Sequence, residues 1–509
     1  MSAPEVSLAF TESVQPVLRA ATTTAGSGAP SLEFYARTVG ATTWNLLDGA
    51  TVNGATGSAS LPAGRLSIQQ SFEYRAEHCD STGCTSSATL TGAVSSDVGI
   101  GPRPGASGVP FSIGDRINAQ VDPGSGNLMV STPQFTVPRV AGDLSVGAVY
   151  NSISRWKSRF QTSLSSGWRL STGSDVYLRH EGITGAVTYY GENGLTGVFL
   201  PAGGDTYTPP AGFKMDLAGN ATAGWALTDH ASFDKRVFNS GGQLTALTDR
   251  NGNSTTFAYD GAALTRIVGD SGPVDARTLQ VTTAAGGKQI TRIQQYPQYE
   301  RGGSPRWATY AYNQAGQLSS ITDTLGRVTT FFHGRSGNLN SVTAPGGAVT
   351  RFTYDEFGRV LTVTQPTEDY EVNAVTRFAY TATSVLVADP TTNQAEGDLV
   401  DVPHTTYDLT GDGMKLIAKV TDPAGNAREA SYTPFLDVAS ASDSAGATTF
   451  GYDAAVNGGE SLTGITGASG ATSSFSYGNS GPAQFQPSSS TDAQGNAATF
   501  GTAQGSVDS

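Results

Sequence analysis

Hydrophobic and polar residues alternate along much of this chain with a period of two. Phe72, Tyr74 and Ala76 alternate with charged residues, and the stretch 144–151 alternates in the same way. Successive side chains of a β-strand point to opposite faces of the sheet, so this pattern predicts half-buried strands. Long runs at helical spacing are absent. The pattern predicts an all-β protein.

From residue 233 onward an aromatic–x–Tyr motif recurs, often followed by Asp or Asn. Tyr312, His333 and Tyr354 follow one another at 21-residue intervals, with His333 standing where other copies have Tyr. A period in this range indicates one supersecondary unit used repeatedly. The positions that we assign to the motif are Tyr259, Asp260, Tyr312, Tyr354, Asp355, Tyr380, Tyr452, Asp453 and Tyr477, with degenerate copies at 331–333, 405–408 and 430–432.

A second motif alternates with the first: Leu-x-x-(Leu/Ile/Val)-Thr-Asp, followed by Gly. Its turn glycines are Gly252, Gly326 and Gly425. Gly and Asn accept left-handed backbone conformations, and Asp bonds nearby amides, so Asp-x-x-Gly predicts a tight turn. Each unit is then a β-hairpin. Because a single hairpin is marginal in water, we expect the hairpins to stack into a continuous sheet.

Changes in pattern divide the chain into four predicted parts. Residues 1–95 have the strands of a small β-sandwich, expected near 32–37, 44–47, 66–68 and 72–77. Residues 96–110 are a Gly/Pro linker, because these residues disfavour both helices and regular ladders. Residues 111–232 form a β-meander with short connections, and residues 233–509 form the repeats.

Composition and charge narrow the function. Gly accounts for 63 of the 509 residues, and charged residues for only 14%, which suits short strands and tight turns. The net charge is −13, without a basic stripe, so no nucleic-acid partner is expected. The sequence contains no apolar run of about 18 residues, so it predicts no membrane-spanning helix. No signal peptide is recognised, and the chain stops inside a repeat, so we expect a piece of a longer protein.

Few residues suggest chemistry. Cys79 and Cys84 bracket a short Gly-containing loop; a disulfide, free thiols and a metal site are the alternatives, and we favour the disulfide, which indicates an oxidising compartment. Residues 408–413 have part of a Ca²⁺-loop pattern without its closing Glu, and we interpret them as a turn. The five histidines, His78, His180, His230, His333 and His404, are scattered. We predict no catalytic residue, no cofactor and no metal.

The repeats resemble those of the RHS/YD family. The resemblance rests on Phe-Thr-Tyr-Asp-Glu-Phe-Gly-Arg-Val (352–360) and Leu-Thr-Asp-Arg-Asn-Gly-Asn (247–253), and it covers residues 233–509. Residues 111–232 resemble the module that precedes RHS repeats, through Gly126-Asn127-Leu128 and Gly167-Trp168-Arg169-Leu170. Residues 72–84 resemble the late strand and loop of a fibronectin type III domain.

The resemblance implies an N-terminal β-sandwich followed by a β-meander and a spiral of YD-repeat hairpins, as a partial, open RHS shell. In bacterial polymorphic toxins and toxin-complex C components such shells enclose a C-terminal toxin, whereas in teneurins a similar barrel serves cell adhesion. The Asp-Pro-x-Gly-Leu-type self-cleavage motif of the toxin members is absent here: Asp122-Pro123-Gly124 and Asp422-Pro423-Ala424 do not match it.

We therefore expect a structural, non-enzymatic shell segment, secreted or on a cell surface. Its expected partners are a downstream RHS core and toxin domain of the same protein. The alternative is an adhesion module that recognises a cell-surface protein or a glycan.

Overall fold

The computed structural model describes most of the chain as β-structure. The residues it describes are 5–10, 16–21, 31–38, 42–46, 51–53, 56–60, 72–92, 101–138, 143–153, 162–180, 185–269, 278–285, 287–295, 305–355, 358–368, 372–381, 383–390, 398–410, 414–478 and 484–501. Within them lie strands β1 to β43, no α-helix, and short 3-10 turns at Glu192–Gly194, Leu399–Asp401 and Asn457–Gly459. The predicted all-β fold is confirmed.

The N-terminal part forms two antiparallel sheets. The first has the order β1-β2-β6-β5, from β1 (Glu5–Phe10), β2 (Pro16–Ala21), β5 (Thr51–Asn53) and β6 (Thr56–Ser60). The second has the order β4-β3-β7-β8, with β9 also on β7, from β3 (Ser31–Thr38), β4 (Asn45–Leu46), β7 (Phe72–Asp80), β8 (Gly83–Ser86) and β9 (Leu90–Gly92). Phe34 and Tyr74 are buried, as the alternation predicted. The predicted strand at 66–68 lies outside the described residues, and the likeness of 1–95 to fibronectin type III stays a prediction.

Of the predicted linker 96–110, residues 96–100 lie outside the described residues, and the next strand already begins at Val109. The segment 101–108 between them forms no strand but is tightly packed. Gly105 has a φ of +71°, and a Cβ added there would lie 2.7 Å from the carbonyl oxygen of Leu436. The Arg103 guanidinium is paired with Asp122 at 2.6 Å and donates to the carbonyl oxygen of Met414. This stretch therefore joins the segment 111–232 to the later part of the repeats.

A third sheet follows with its strands in sequence order. It consists of β10 (Val109–Ile113), β11 (Ile117–Val121), β12 (Leu128–Val137), β13 (Leu144–Asn151) and β14 (Trp168–Leu170). Strand β12 is continuous across a bulge between Pro133 and Phe135. A bulge lets a strand bend and continue, which the sequence pattern does not distinguish from a break.

The fourth sheet is a single antiparallel ladder in which each strand pairs with the next. Its first members are β15 (Tyr177–His180), β16 (Val187–Tyr190), β17 (Thr196–Gly203), β18 (Thr206–Thr208), β19 (Met215–Asn220), β20 (Gly224–Asp229), β21 (Lys235–Phe238), β22 (Leu244–Thr248), β23 (Ser254–Asp260), β24 (Ala263–Val268), β25 (Thr278–Thr283), β26 (Ile290–Gln295), β27 (Trp307–Tyr312) and β28 (Leu318–Asp323).

The same sheet continues to the end of the described chain. Its later members are β29 (Val328–His333), β30 (Leu339–Thr343), β31 (Val349–Tyr354), β32 (Val360–Pro366), β33 (Asn373–Tyr380), β34 (Ser384–Ala388), β35 (Thr405–Leu409), β36 (Ile417–Thr421), β37 (Ala427–Tyr432), β38 (Val438–Asp443), β39 (Gly446–Tyr452), β40 (Leu462–Thr466), β41 (Thr472–Tyr477), β42 (Pro487–Thr491) and β43 (Ala497–Thr499). The sheet begins inside the segment 111–232, and the four domain boundaries stay predictions.

The hydrophobic core lies between the third sheet and the inner face of the fourth. The Trp168 and Phe331 rings have centroids 4.4 Å apart, and the centroids of Phe111 and Phe378 are 6.4 Å apart. One buried cluster runs from Phe111 to Val387. The third sheet thus covers the inner face of the middle repeats.

The fourth sheet coils back on itself. The Lys214 ammonium group, just before β19, lies 2.8 Å from the Asp437 carboxylate, which precedes β38. A Cβ on Gly212 would lie 3.2 Å from Cδ1 of Leu436. We call the part before Val387 the first winding and the part from β35 onward the second winding. The turns of the second winding thus pack on the loops that flank β19 and β20.

Candidate functional site: the repeat wall and its inner face

Four turns of the repeats share one arrangement around an aspartate. In each, Oδ1 of the Asp accepts hydrogen bonds from the backbone amides two and four residues later, at 2.8–3.0 Å, and Oδ2 accepts from the side chain of the fourth residue. The aspartates are Asp249, Asp323, Asp422 and Asp492. One carboxylate thus satisfies the amides of a turn that would otherwise point into solvent.

These bonds favour the ionised carboxylate. At Asp422 and Asp492 the hydrogen bond from the Asn side chain is the largest cause that lowers the pKa. At Asp323 burial opposes ionisation, but the hydrogen bonds from the side chain and backbone of Arg327 outweigh it and hold the pKa below its ordinary value. The turns are therefore anionic at neutral pH.

The turn glycines occupy left-handed backbone positions. Gly252, Gly326 and Gly425 have φ values of 87°, 74° and 87°. A Cβ at any of them would meet nothing within 4 Å. The backbone conformation, and not the space, therefore requires Gly at these three positions.

The repeat tyrosines tie neighbouring strands together. Most follow a register shift in their strand, as between Thr353 and Tyr354. Their hydroxyls then donate to the first residues of a preceding strand: Tyr259 to the Leu244 carbonyl, Tyr354 to Leu339, Tyr380 to Val360, Tyr432 to Ile417 and Tyr477 to Leu462, at 2.6–2.9 Å, and Tyr312 to Ile290. Burial raises the pKa of the Tyr259 and Tyr380 hydroxyls, so they remain protonated donors.

The remaining motif residues are exposed, partly buried or bonded only within their own turn. Asp260 is exposed at the end of β23, and the Asp453 carboxylate accepts the Ala455 amide at 2.9 Å. Asp355 accepts from the side-chain Nε of Arg359 at 2.6 Å. Tyr452 is partly buried on the inner face of β39.

One copy of the motif is shifted by two residues from its predicted position. Tyr407 pairs with Val420, which is the position that Phe331 occupies opposite Val342. Leu409, not Tyr407, stands at the tyrosine position, after the register shift. Because a strand has a period of two, a shift of two residues keeps the aromatic ring on the same face, and the spacing therefore did not reveal it.

His333 has a specific partner that the sequence did not indicate. The Trp168 indole N–H donates to its Nε2 at 3.2 Å, from the third sheet. Burial lowers the pKa of His333 to about 4, so the ring is neutral and accepts this bond. The His that stands at this Tyr position of the motif thus accepts a hydrogen bond from Trp168 of the third sheet.

The inner face is covered in the first winding and partly exposed in the second. Phe352 and Phe378 are buried, whereas Phe450 and Phe475, at the same motif position, are only partly buried. Where the cover ends, a groove of about 800 Å³ opens; its lining includes Gly108, Val109, Pro123, Tyr407, Ile417, Val420, Ala430 and Tyr432. The second winding thus presents an apolar surface inward.

Cys79 and Cys84 form a disulfide, with a Cα–Cα distance of 4.0 Å, across the β7–β8 hairpin. Residues 411–413 of the partial Ca²⁺ loop lie outside the described residues, and among those described no cluster of His, Cys, Asp and Glu fits a metal ion. Of the histidines, His230 lies 2.7 Å from the Glu460 carboxylate, a contact across 230 residues that the sequence did not suggest.

The comparisons agree with the repeat motifs. Residues 238–269, 312–349 and 335–368 match the family model of the RHS repeat. No curated protein matches the chain. No helix among the described residues has the length and apolar character to cross a membrane.

Several solved structures are similar at low identity. They include the TcdB2-TccC3-Cdc42 structure (10% identity, TM-score 0.32, covering 85% of this chain and 27% of that one) and the Tc holotoxin pore of Photorhabdus luminescens (11%, 0.29, 73% and 22%). A third is TcdB2-TccC3 without its hypervariable C-terminal region (10%, 0.29, 72% and 21%). This chain spans about a quarter of the length of those chains or less.

Proposed function

We propose that this chain, which is built from RHS repeats, is a structural segment of a shell wall whose inner face encloses a C-terminal toxin of the same protein. The observation that carries the proposal is the apolar inner face of the second winding. It repeats the motif of the first winding, but none of the sheets formed by the described residues is packed on it. Such a face requires contact with another surface or a confined compartment.

The polar groups of the repeats support a structural role. The turn aspartates are occupied by backbone amides, and the tyrosine hydroxyls by backbone carbonyls. These bonds fix the hairpins and leave no activated nucleophile or base on the motif residues. We therefore propose that the chain contributes a surface and not a reaction.

Protease protection of the full-length gene product tests this proposal. We expect a segment downstream of residue 509 to resist a protease that cleaves it readily when it is expressed alone. Phe450→Ser with Phe475→Ser should weaken that protection, because both rings face inward. The matched control is Phe332→Ser, since Phe332 is 65% exposed on the outer face. Rapid cleavage of the segment in the intact protein, or a reading frame without such a segment, would refute the proposal.

An adhesion module is the second candidate, and the outer face of β29 favours it. Phe332 stands at the middle position of its motif, where the other copies have Ala, Thr, Ser, Gly or Asp. It is 65% exposed, and Val328, on the same strand, is 42% exposed. Exposed aromatic side chains serve as contact points for partners. Loss of cell or glycan binding in Phe332→Ser, with unchanged protease protection, would favour this candidate.

We also propose that the chain acts outside the cytosol. The disulfide between Cys79 and Cys84 supports this, because disulfides persist in oxidising compartments. Thiol labelling of the protein recovered from the culture medium and from the cell interior tests it: oxidised cysteines in the medium fraction are expected, and a protein found only inside cells would contradict it.

A further inference from the structure

The contact between the two windings contains a compact group of charges, which we call the seam. From the first winding it includes Lys214, Asp216 and His230, and from the second Asp437, Glu460 and Phe485. His230 is only 8% exposed. The seam thus brings a buried imidazole between two windings whose residues are more than 200 positions apart in sequence.

The imidazole of His230 has a carboxylate near each of its nitrogens. Nδ1 is hydrogen-bonded to Oε2 of Glu460 at 2.7 Å, whereas Nε2 lies 3.2 Å from Oδ1 of Asp216, at an ion-pair distance but without hydrogen-bond geometry. A neutral imidazole carries one N–H, so one of its lone pairs would face a carboxylate oxygen. The imidazolium carries two, and it therefore fits this site better than the neutral ring does.

The aromatic neighbour favours the same form. The Phe485 ring stacks on His230 with centroids 4.3 Å apart and an interplanar angle of 9°. A cation over an aromatic face is attracted by the ring quadrupole. Protonated His230 therefore links the first winding to Glu460 and Phe485 of the second, and deprotonation removes the charge from both contacts.

The other charged groups around His230 are already engaged. In the first winding, Oδ1 of Asp229 accepts a hydrogen bond from the Ser232 amide at 2.9 Å. The backbone N–H of His230 donates to the carbonyl oxygen of Lys214. Across the seam, the Lys214 ammonium group lies 2.8 Å from Asp437 and donates to the Glu460 carbonyl at 2.9 Å. His230 supplies the imidazole of the seam, and an imidazole is the side chain whose ordinary pKa lies closest to neutral pH.

We propose that the seam is a proton-dependent latch, closed while His230 is protonated between Asp216 and Glu460 and loosened when His230 loses its proton. Burial lowers the pKa of His230, but the hydrogen bond and charge of Glu460, and then the nearby Asp216 carboxylate, raise it above its ordinary value. A raised pKa in the closed state means that the latch has its full strength below the ordinary value of about 6.5 and loses it as pH rises through the raised value.

The opening is local. Arg103 joins the linker to the Asp122 carboxylate at 2.6 Å and to the carbonyl oxygen of Lys415 at 3.3 Å. The Arg103 contact with Lys415 lies before β36, whereas the residues of the latch in the second winding lie after β37. Loosening the latch therefore frees the segment around Glu460 and Phe485, whereas Leu436 stays packed against Gly105 and the first winding stays closed. The proposal concerns the wall itself and does not depend on what it encloses.

Amide hydrogen exchange of the intact chain at pH 5.5, 7.0 and 8.5 tests the latch. Protection factors corrected for intrinsic rates should fall for the amides of Gly459 and Glu460 as pH rises, roughly tenfold for each unit by which the pKa of His230 is raised. The amide of Gly252, in a turn of the first winding, serves as the internal control and should not change.

Two variants separate the latch from general stability. His230→Gln keeps one donor but cannot be protonated, so its protection at the seam should be independent of pH. Should that variant not fold, Glu460→Gln removes the closer carboxylate and should shift the transition to lower pH. NMR titration of the histidine ring protons should place the pKa of His230 above that of His333. A pH-dependent seam in His230→Gln, no pH dependence in the parent chain, or a His230 that titrates at or below the ordinary value would each overturn the proposal.

Discussion

Truncation of an inner-face phenylalanine should cost much more in the first winding than in the second. Phe352 is 1% exposed beneath the third sheet, and replacement of a fully buried Phe by Ala costs about 3–5 kcal/mol through lost transfer energy and the remaining cavity. Phe475 occupies the same motif position on β41 but is partly exposed. Its truncation should cost about 1–2 kcal/mol, because less apolar area leaves water and a solvent-accessible gap can fill.

Urea unfolding followed by tryptophan fluorescence measures the difference, since Trp168 lies in the core of the first winding. Phe352→Ala should lower the midpoint of that transition strongly, and Phe475→Ala should leave it nearly unchanged, because repeat arrays interact mainly through neighbouring units. A near-neutral Phe352→Ala would place that face in solvent. Equal losses in both variants would mean that the second winding is covered as well, and the interpretation of its inner face as a lining would be wrong.

Three further changes test the repeat unit. Gly252→Ala should destabilise its hairpin by about 1–2 kcal/mol, because φ is +87° there, as measured by urea unfolding. Tyr354→Phe should cost about 0.5–1.5 kcal/mol, because it removes the hydroxyl donor to the Leu339 carbonyl. The lowered pKa of Asp323 means that its ionised form stabilises the fold above the ordinary value of about 4 and that this contribution is lost as pH falls through the lowered value, which acid unfolding of Asp323→Asn measures.

Each change has a control within the chain. Gly346→Ala removes a turn glycine that has no positive φ and should be near neutral; a loss equal to that of Gly252→Ala would show that strain is not the cause. Tyr452→Phe, at a less buried position, should cost less than Tyr354→Phe. Asp260→Asn changes an exposed carboxylate outside the turns, and its acid unfolding should follow the parent chain; a shared shift would contradict the assignment to Asp323.

The hairpins were predictable because their information is local. An Asp and a Gly three residues apart fix a turn, and a Phe two residues before a Tyr fixes the face of the returning strand. Between Tyr259 and Tyr312, where the motif does not recur, strands β24 to β26 continue the ladder across unequal loops. The motif position of Tyr407 was predicted wrongly for a local reason as well. A strand places residues two apart on the same face, so the pattern does not distinguish position 407 from position 409.

The long-range contacts could not be predicted from the same information. Lys214 meets Asp437 because the coiling of the sheet brings β19 beside the β37–β38 turn, and this coiling is the sum of small twists and bulges along many strands. No single residue type indicates how much the sheet coils over many strands. The Gly and Pro residues around Gly105 predicted irregular backbone, but the same composition occurs in open linkers and in tightly packed segments.

The same limit separates the repeat motif from its function. Phe352 and Phe475 stand at equivalent positions, on strands of the same ladder, with the same tyrosine two residues later. The difference is that the third sheet packs against Phe352. The residues of that sheet precede Phe475 by more than 200 positions in the sequence. Among the described residues, equivalent motifs occur with and without a covering sheet, so the proposed function depends on where that cover ends, between Val387 and β36. The groove at that border is therefore the place where a substitution should distinguish the proposed containment from simple stability.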